Sequence, residues 1–179
     1  MVRAFLALEL SEGIRSALAG AQDVLRRCSA RLTFVVPAQI QVTVKFLGEV
    51  DDYKIPAPID ALKTVPGSPF PVRAGRITVN NPRRPFTVWS VVDDGGQGAA
   101  LRDRIESALA PVGFPREARP FTAHATVARV KRFDPSLAEV LRELGSRNYG
   151  ECTVTGFRLK KSTLTPSGPV YEDLLEVRW

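Results

Sequence analysis

At 179 residues, 44% of them hydrophobic, the chain can build one sizeable core, and its length favours a single domain with at most two lobes. Cys28 and Cys152 are solitary, without a CxxC pair or a cluster of histidines, so neither a zinc site nor a disulfide framework is indicated; both thiols are expected to be reduced and buried. The formal charge of +6, with 19 arginines among the 25 basic residues, favours phosphate-bearing partners such as nucleic acid, because a planar guanidinium grips phosphate with two hydrogen bonds.

The apolar run from Val2 to Leu10 is interrupted by Arg3 and Glu9, is far shorter than a membrane span and precedes no small-residue cleavage site. It reads as the first strand of a cytoplasmic protein, expected to be monomeric and to have no membrane partner. Ser11 then caps a helix whose Ile14, Ala17, Leu18, Ala21, Leu25 and Cys28 follow the 3.6-residue period. Arg31 to Val36 reads as a strand broken by Pro37, and Ile40 to Leu47 as the next, ended by a turn over Gly48 to Asp52. Ile59, Leu62 and Val65 mark a second helix with Pro56 and Pro58 in its first turn.

Val72 to Val79 and Phe86 to Val92 are β-rich runs joined antiparallel through Asn80 to Pro85, a turn whose Arg83 and Arg84 are exposed and able to grip a nucleic-acid backbone. The stretch Gly95 to Gly98 lacks the Gly-Lys-Ser/Thr ending of a phosphate loop. It predicts a flexible lead into a helix that buries Leu101, Ile105, Ala108, Leu109 and Val112 and stops at Gly113. Asp134-Pro135 opens a further helix with Leu137, Val140, Leu141 and Leu144 inward, stopped at Gly145. Glu151 to Leu159 and Val170 to Val177 supply the last strands, joined through Thr165 to Pro169. Strands interspersed with about four helices make an α+β fold.

Two strands carry the chemistry. Gln41-Val42-Thr43-Val44-Lys45-Phe46-Leu47-Gly48-Glu49 and Phe121-Thr122-Ala123-His124-Ala125-Thr126-Val127-Ala128-Arg129 each set a polar residue two positions before a threonine, and a strand's period of two puts both on one face. They are expected to supply two halves of one site. By the same alternation Lys45 joins Gln41 and Thr43, Arg129 has the opposite parity to His124, and Phe46 and Trp89 belong to the core unless they stack on a base.

Together, about 80 residues apart, these motifs resemble the His-x-Thr pair of the 2H phosphoesterase superfamily, most closely its RNA 2',3'-cyclic phosphodiesterase (2'-5' RNA ligase) family. The second motif is intact from His124 to Arg129; the first keeps Thr43 and Phe46-Leu47-Gly48-Glu49 but has Gln41 where the family has histidine. Arg3 to Ala7 and Leu159 to Pro166 extend the likeness over essentially the whole chain. The resemblance implies one domain of two pseudo-symmetric lobes, with antiparallel sheets and outer helices around a central cleft. It also implies metal-independent hydrolysis of RNA 2',3'-cyclic phosphate ends to 2'-phosphates, as in tRNA and other RNA processing, with no cofactor and with 2'-5' ligation as a companion reaction.

That hydrolysis needs a base to take a proton from water and an acid to give one to the departing 3'-oxygen. Two imidazoles do this unaided because an ordinary pKa of about 6.5 populates both protonation states near neutrality. The resemblance makes His124 and position 41 the catalytic pair, with Thr43 and Thr126 on phosphate; Lys45, by its shared face, and Arg129, if it sits at the strand end or the strand twists, are further phosphate candidates, and Phe46, Lys160 and Ser162 are candidate contacts to a base or the rim. Gln41 cannot shuttle a proton, although its amide can donate a hydrogen bond at about the reach of a distal ring nitrogen. Its intact surroundings favour a deliberate inactivating substitution, made to trap a ligand, over natural decay. The alternative is a non-catalytic module that binds RNA ends or nucleotides, which Thr43, Thr126 and His124 would serve equally well.

Overall fold

The computed structural model describes residues 1–179. β1 (Val2–Glu9) leads into α1 (Glu12–Leu25), where the Ser11 hydroxyl accepts the Ile14 N–H at 3.2 Å and caps the first turn. β2 (Arg31–Phe34) and β3 (Gln41–Val50) follow, then α2 (Pro56–Leu62), β4 (Phe70–Val79), β5 (Thr87–Asp93) and α3 (Gln97–Leu109). β6 (His124–Arg132), α4 (Ser136–Leu144), β7 (Gly150–Val154), β8 (Gly156–Thr165) and β9 (Gly168–Arg178) complete the chain.

The strands form one curled, wholly antiparallel sheet in the order β7-β4-β5-β6-β3-β1-β8-β9, with β2 paired to the far end of β6. The helices cover one face, where Leu6, Leu8, Val42, Ala125, Val127 and Leu159 are almost wholly inaccessible. α1 and α4 pack on strands of the β4–β6–β7 half, and α2 and α3 on the β3–β9 half. Since α1 follows β1 and α3 follows β5, each of these two helices crosses the β3–β6 seam to find its packing partner. No helix is long and apolar enough to cross a membrane.

Several sequence expectations are corrected. β3 runs on to Val50 because Gly48, at φ 77°, lets the strand bulge without turning away. The chain after Gly145 makes three strands, not two. Gly156 divides them, since a Cβ there would collide with the Val177 carbonyl oxygen, and the chain crosses from the β7 edge to β8 on the other half. Gly95 and Gly96 are a built turn instead of a loose lead, with the Asp94 carboxylate accepting the N–H groups of Gly96 and Gly98, both at 2.9 Å. Val112, expected inside, is 37% exposed because α3 ends at Leu109. The two cysteines are half-buried and free.

Register irregularities decide which side chains reach the face without helices. Across the β1–β3 ladder Leu6 stands opposite Lys45 and Ala7 opposite Thr43, so Val44 is an extra residue on β3. An extra residue inverts the two-residue alternation, and Lys45 lands on the helix-covered face with Leu6 instead of beside Gln41 and Thr43. In β6 the extra residue is Val127: Trp89 faces Thr126 while Val88 faces Ala128. Arg129, opposite Thr87, therefore rejoins His124 and Thr126 on the open face.

Lys45, 4% exposed, donates to Glu106 at 2.9 Å and to the Pro115 carbonyl at 3.0 Å, and Glu106 also accepts the Glu117 N–H at 2.9 Å. This buried pair ties the first motif strand to α3 and to the segment that leads into β6. Burial pushes the Glu106 carboxyl upward, but the Glu117 N–H, Lys45 and Arg102 outweigh it and hold it below the usual carboxylate range. A depressed carboxyl stabilises the fold above its unfolded value of about 4.3 and ceases to do so as pH falls through the folded value. Glu106→Gln should cost about 3–5 kcal/mol at pH 7, as when one partner of a buried pair is removed, and denaturant unfolding should show that penalty shrinking in acid below pH ~4.

Candidate active site

β3 and β6 are joined by one ladder pair, Val42 with Ala125, both pointing into the core. One step to either side on antiparallel strands sets Thr43 opposite His124 and Gln41 opposite Thr126, all four on the open face. Side chains so placed have Cβ atoms about 5 Å apart for neighbours and about 7–8 Å for diagonals, a spacing that suits one phosphoryl group held among them. The expectation that the two motifs form halves of one patch thus agrees with the sheet topology.

His124 is half-buried, and its Nδ1 lies 2.8 Å from the Thr122 carbonyl oxygen. A carbonyl only accepts, so Nδ1 carries the hydrogen and Nε2 is left to face the open side. Trp89, set opposite Thr126 by the β5–β6 register, packs its ring 4.1 Å from the imidazole at an interplanar angle of 36°. The indole that the sequence assigned to the core therefore fixes the histidine ring from the side.

The amide of Gln41, the hydroxyls of Thr43 and Thr126 and the guanidinium of Arg129 make no hydrogen bond or ion pair within the protein, and none is a sealed polar atom. They are donors without partners; Arg129 is exposed, Thr43 and Thr126 are half-buried, and Gln41, at 9%, is the most enclosed of the four. Lys45 is not among them; its ammonium is spent on Glu106 behind the sheet.

Of the remaining expected contacts, Phe46 lies on the open face and is 67% exposed, contrary to a core role, because it pairs with Phe5 across the bulge. Phe46, Phe5 and Tyr171 make an aromatic row, with centroids 6.1 Å and 5.0 Å apart in turn. Ser162 stands opposite Arg3 and Tyr171 on that face. Lys160 also lies there but is 8% exposed and held by Glu9 at 2.6 Å and Asp173 at 3.4 Å, so it braces the sheet instead of lining a free rim.

Glu9 is the residue that sequence reading missed. It is the cross-strand partner of Gln41, and its carboxylate meets both Arg15 and Lys160. Burial pushes this carboxyl up, yet Lys160, Arg15 and Arg158 together hold it below the usual range. The only signal in the sequence was a lone acid interrupting an apolar strand, which names no partner.

A family model described as LigT-like phosphoesterase matches residues 92–171. An RNA 2',3'-cyclic phosphodiesterase of Archaeoglobus fulgidus is 35% identical over 176 residues, covering 97% of this chain and 98% of the relative. Among solved structures, TT0787 of Thermus thermophilus superposes with a TM-score of 0.81 at 27% identity, covering 98% of this chain and 97% of its own. Escherichia coli LigT complexed with 3'-AMP shares the fold with a TM-score of 0.77 at 20% identity, covering 99% and 96%. The open-faced pair of motif strands, the curled antiparallel sheet and the near-complete match in length agree, and the chain belongs to the LigT-like, RNA 2',3'-cyclic phosphodiesterase branch of the 2H phosphoesterases.

Proposed function

We propose that this protein acts on RNA 2',3'-cyclic phosphate ends, opening them to 2'-phosphates without a metal, and that Gln41 slows the reaction by removing one of its two proton carriers. The observation that carries this reading is the convergence of His124 with four unpartnered donors, Gln41, Thr43, Thr126 and Arg129, on one open face at the β3–β6 seam. On this reading the whole chain is one domain, and the halves on either side of the seam are lobes that enclose the phosphate.

In the reaction, water attacks phosphorus in line with the 3'-oxygen, the P–O3' bond breaks, and the 3'-oxygen leaves as a hydroxyl while the phosphate stays on O2'. Nε2 of His124 either takes the proton of the attacking water or returns one to O3'. Thr43 and Thr126 donate to the non-bridging oxygens, and Arg129 offsets charge on the phosphoryl group as it develops. Gln41 donates a hydrogen bond on the far side of the phosphorus but moves no proton. A 5'-hydroxyl entering in place of water would make a 2'-5' linkage by the same displacement.

Gln41→His should raise hydrolysis of a 2',3'-cyclic phosphate RNA end, assayed in EDTA, by roughly 10²–10⁴-fold and change affinity for an uncleavable analogue far less. Adding His124→Ala should abolish the gain. A restored protein that binds the analogue more tightly but turns over no faster would identify a nucleotide-binding module instead. In the Gln41→His background, Arg129→Ala should weaken adenosine 2'-phosphate by roughly tenfold or more by calorimetry, as expected when one charge-assisted hydrogen bond is lost.

A further inference from the structure

The cations of this sheet are divided unevenly. On the β1–β8–β9 half all but Arg3 are paired: Arg158 with Asp173 and Glu176, Lys160 with Glu9 and Asp173, Lys161 with Glu172, Arg178 with Glu176. At the far end of β6 they are not. Arg31, Arg83, Arg84, Arg129, Lys131 and Arg132 are all exposed, and none of their side chains has a hydrogen bond or an ion pair. Arg31 stands directly opposite Arg132 in the β2–β6 ladder, where like charges repel. The Asp134 carboxylate, whose Oδ1 accepts both the N–H and the hydroxyl of Ser136, offsets Arg132 in part and leaves the other cations of the cluster unpaired. A polyanion laid along this end would meet several guanidinium groups that no protein group engages.

The strand register aims the patch at the active site. Leu32 opposite Val130 and Arg31 opposite Arg132 make Lys131 another extra residue, so Arg132 falls, like Arg129, on the face that carries His124 and Thr126. Along β6 the open face thus reads His124, Thr126, Arg129, Arg132, a span of about 25 Å at about 3.3 Å per residue. The Val130 N–H donates to the Phe86 carbonyl at 3.0 Å and seats the Asn80–Phe86 loop beside Lys131 and Arg132. That loop is braced: Asn80 Oδ1 accepts the Phe86 and Thr87 N–H groups and Asn81 Oδ1 that of Arg83. Phe86 and Phe133, 59% and 50% exposed, stand among the cations as flat surfaces on which bases can stack.

Resting on the phosphodiesterase reading above, we propose that this basic end of β6 holds the body of an RNA chain, on the 5' side of the terminal phosphate, and makes the protein selective for polymer ends over mononucleotides. A cyclic phosphate at a 3' terminus leaves the chain only one direction in which to run, and this track begins at Arg129 beside the reacting phosphate. An acidic protein would satisfy the charge but would have no reason to follow the strand into the site.

The test compares two ligands on two variants of the whole chain. One ligand is an RNA of roughly 12 nucleotides ending in a 3'-phosphate, the other adenosine 2'-phosphate; anisotropy reads the first and calorimetry the second. Arg83→Ala/Arg84→Ala/Arg132→Ala should weaken the RNA roughly 10–100-fold at 0.1 M salt and flatten its log–log salt slope by about 2, while leaving the mononucleotide within about twofold. The corresponding triple lysine variant should keep the slope. Unchanged RNA binding, or equal loss for both ligands, would overturn the track. Thr43→Val/Thr126→Val separates the two readings: it should weaken both ligands. If it weakens neither while the arginine variant still weakens the RNA, the active-site reading fails and the track stands.

Discussion

The pairing of Val42 with Ala125 is the constraint on which the site depends. It is the single ladder pair between β3 and β6, and it brings together motif strands that the chain separates by two other strands and two α-helices. Both residues are apolar and fully buried, so the seam is fixed from the core side, where burial is favourable, and the polar neighbours are left to the open side. A one-residue slip of either strand at this pair would send that strand's polar residues, Gln41 and Thr43 or His124 and Thr126, into the core and cost far more than a surface register error. A continuous ladder would close the seam; one pair joins the halves and leaves room for a ligand.

Bulges do the remaining work of aiming side chains. The extra residue at Val44 takes Lys45 out of the site and into a buried clasp with Glu106 that steadies the segment leading to His124. The extra residue at Val127 brings Arg129 in. The two bulges exchange one cation for another: a compact ammonium becomes a structural tie, and a forked guanidinium suited to phosphate takes its place at the open face. The same extra residue puts Phe46 on the open face, and Gly48, the glycine of Phe-Leu-Gly-Glu, has its reason in the next irregularity, since its positive φ lets β3 bulge a second time at Leu47 and stay paired with β1.

Much of this was legible in the residues. The cap at Ser11, the stripes of α1 and α4, the β4–β5 hairpin and the face shared by each polar–threonine pair follow from local rules, and the family likeness supplied the pairing of the motifs. What local rules missed has one physical origin. Alternation assumes an uninterrupted pleat, and nothing in Val-Thr-Val-Lys or Thr-Val-Ala-Arg announces an extra residue, because the bulge is set by the neighbouring strand's register. Lys45, Arg129 and Phe46 therefore lie on the face opposite to the one simple alternation gives them, whereas Trp89 sits on an unbulged strand and its bulk alone suggests the core. Glu9 went unread for a related reason: its partners Arg15 and Lys160 lie on α1 and β8, and only the β1–β3 register sets it beside Gln41.

The central claim is that the two motifs hold one phosphate between them, and the chain's sole histidine makes it directly observable. An NMR titration with adenosine 2'-phosphate would follow the His124 ring together with the methyl groups of Thr43 and Thr126. The account predicts that all three signals move along a single isotherm with one dissociation constant, since both strands touch the same ligand. Movement of the β6 signals alone, or of the two motifs with separate constants, would contradict it.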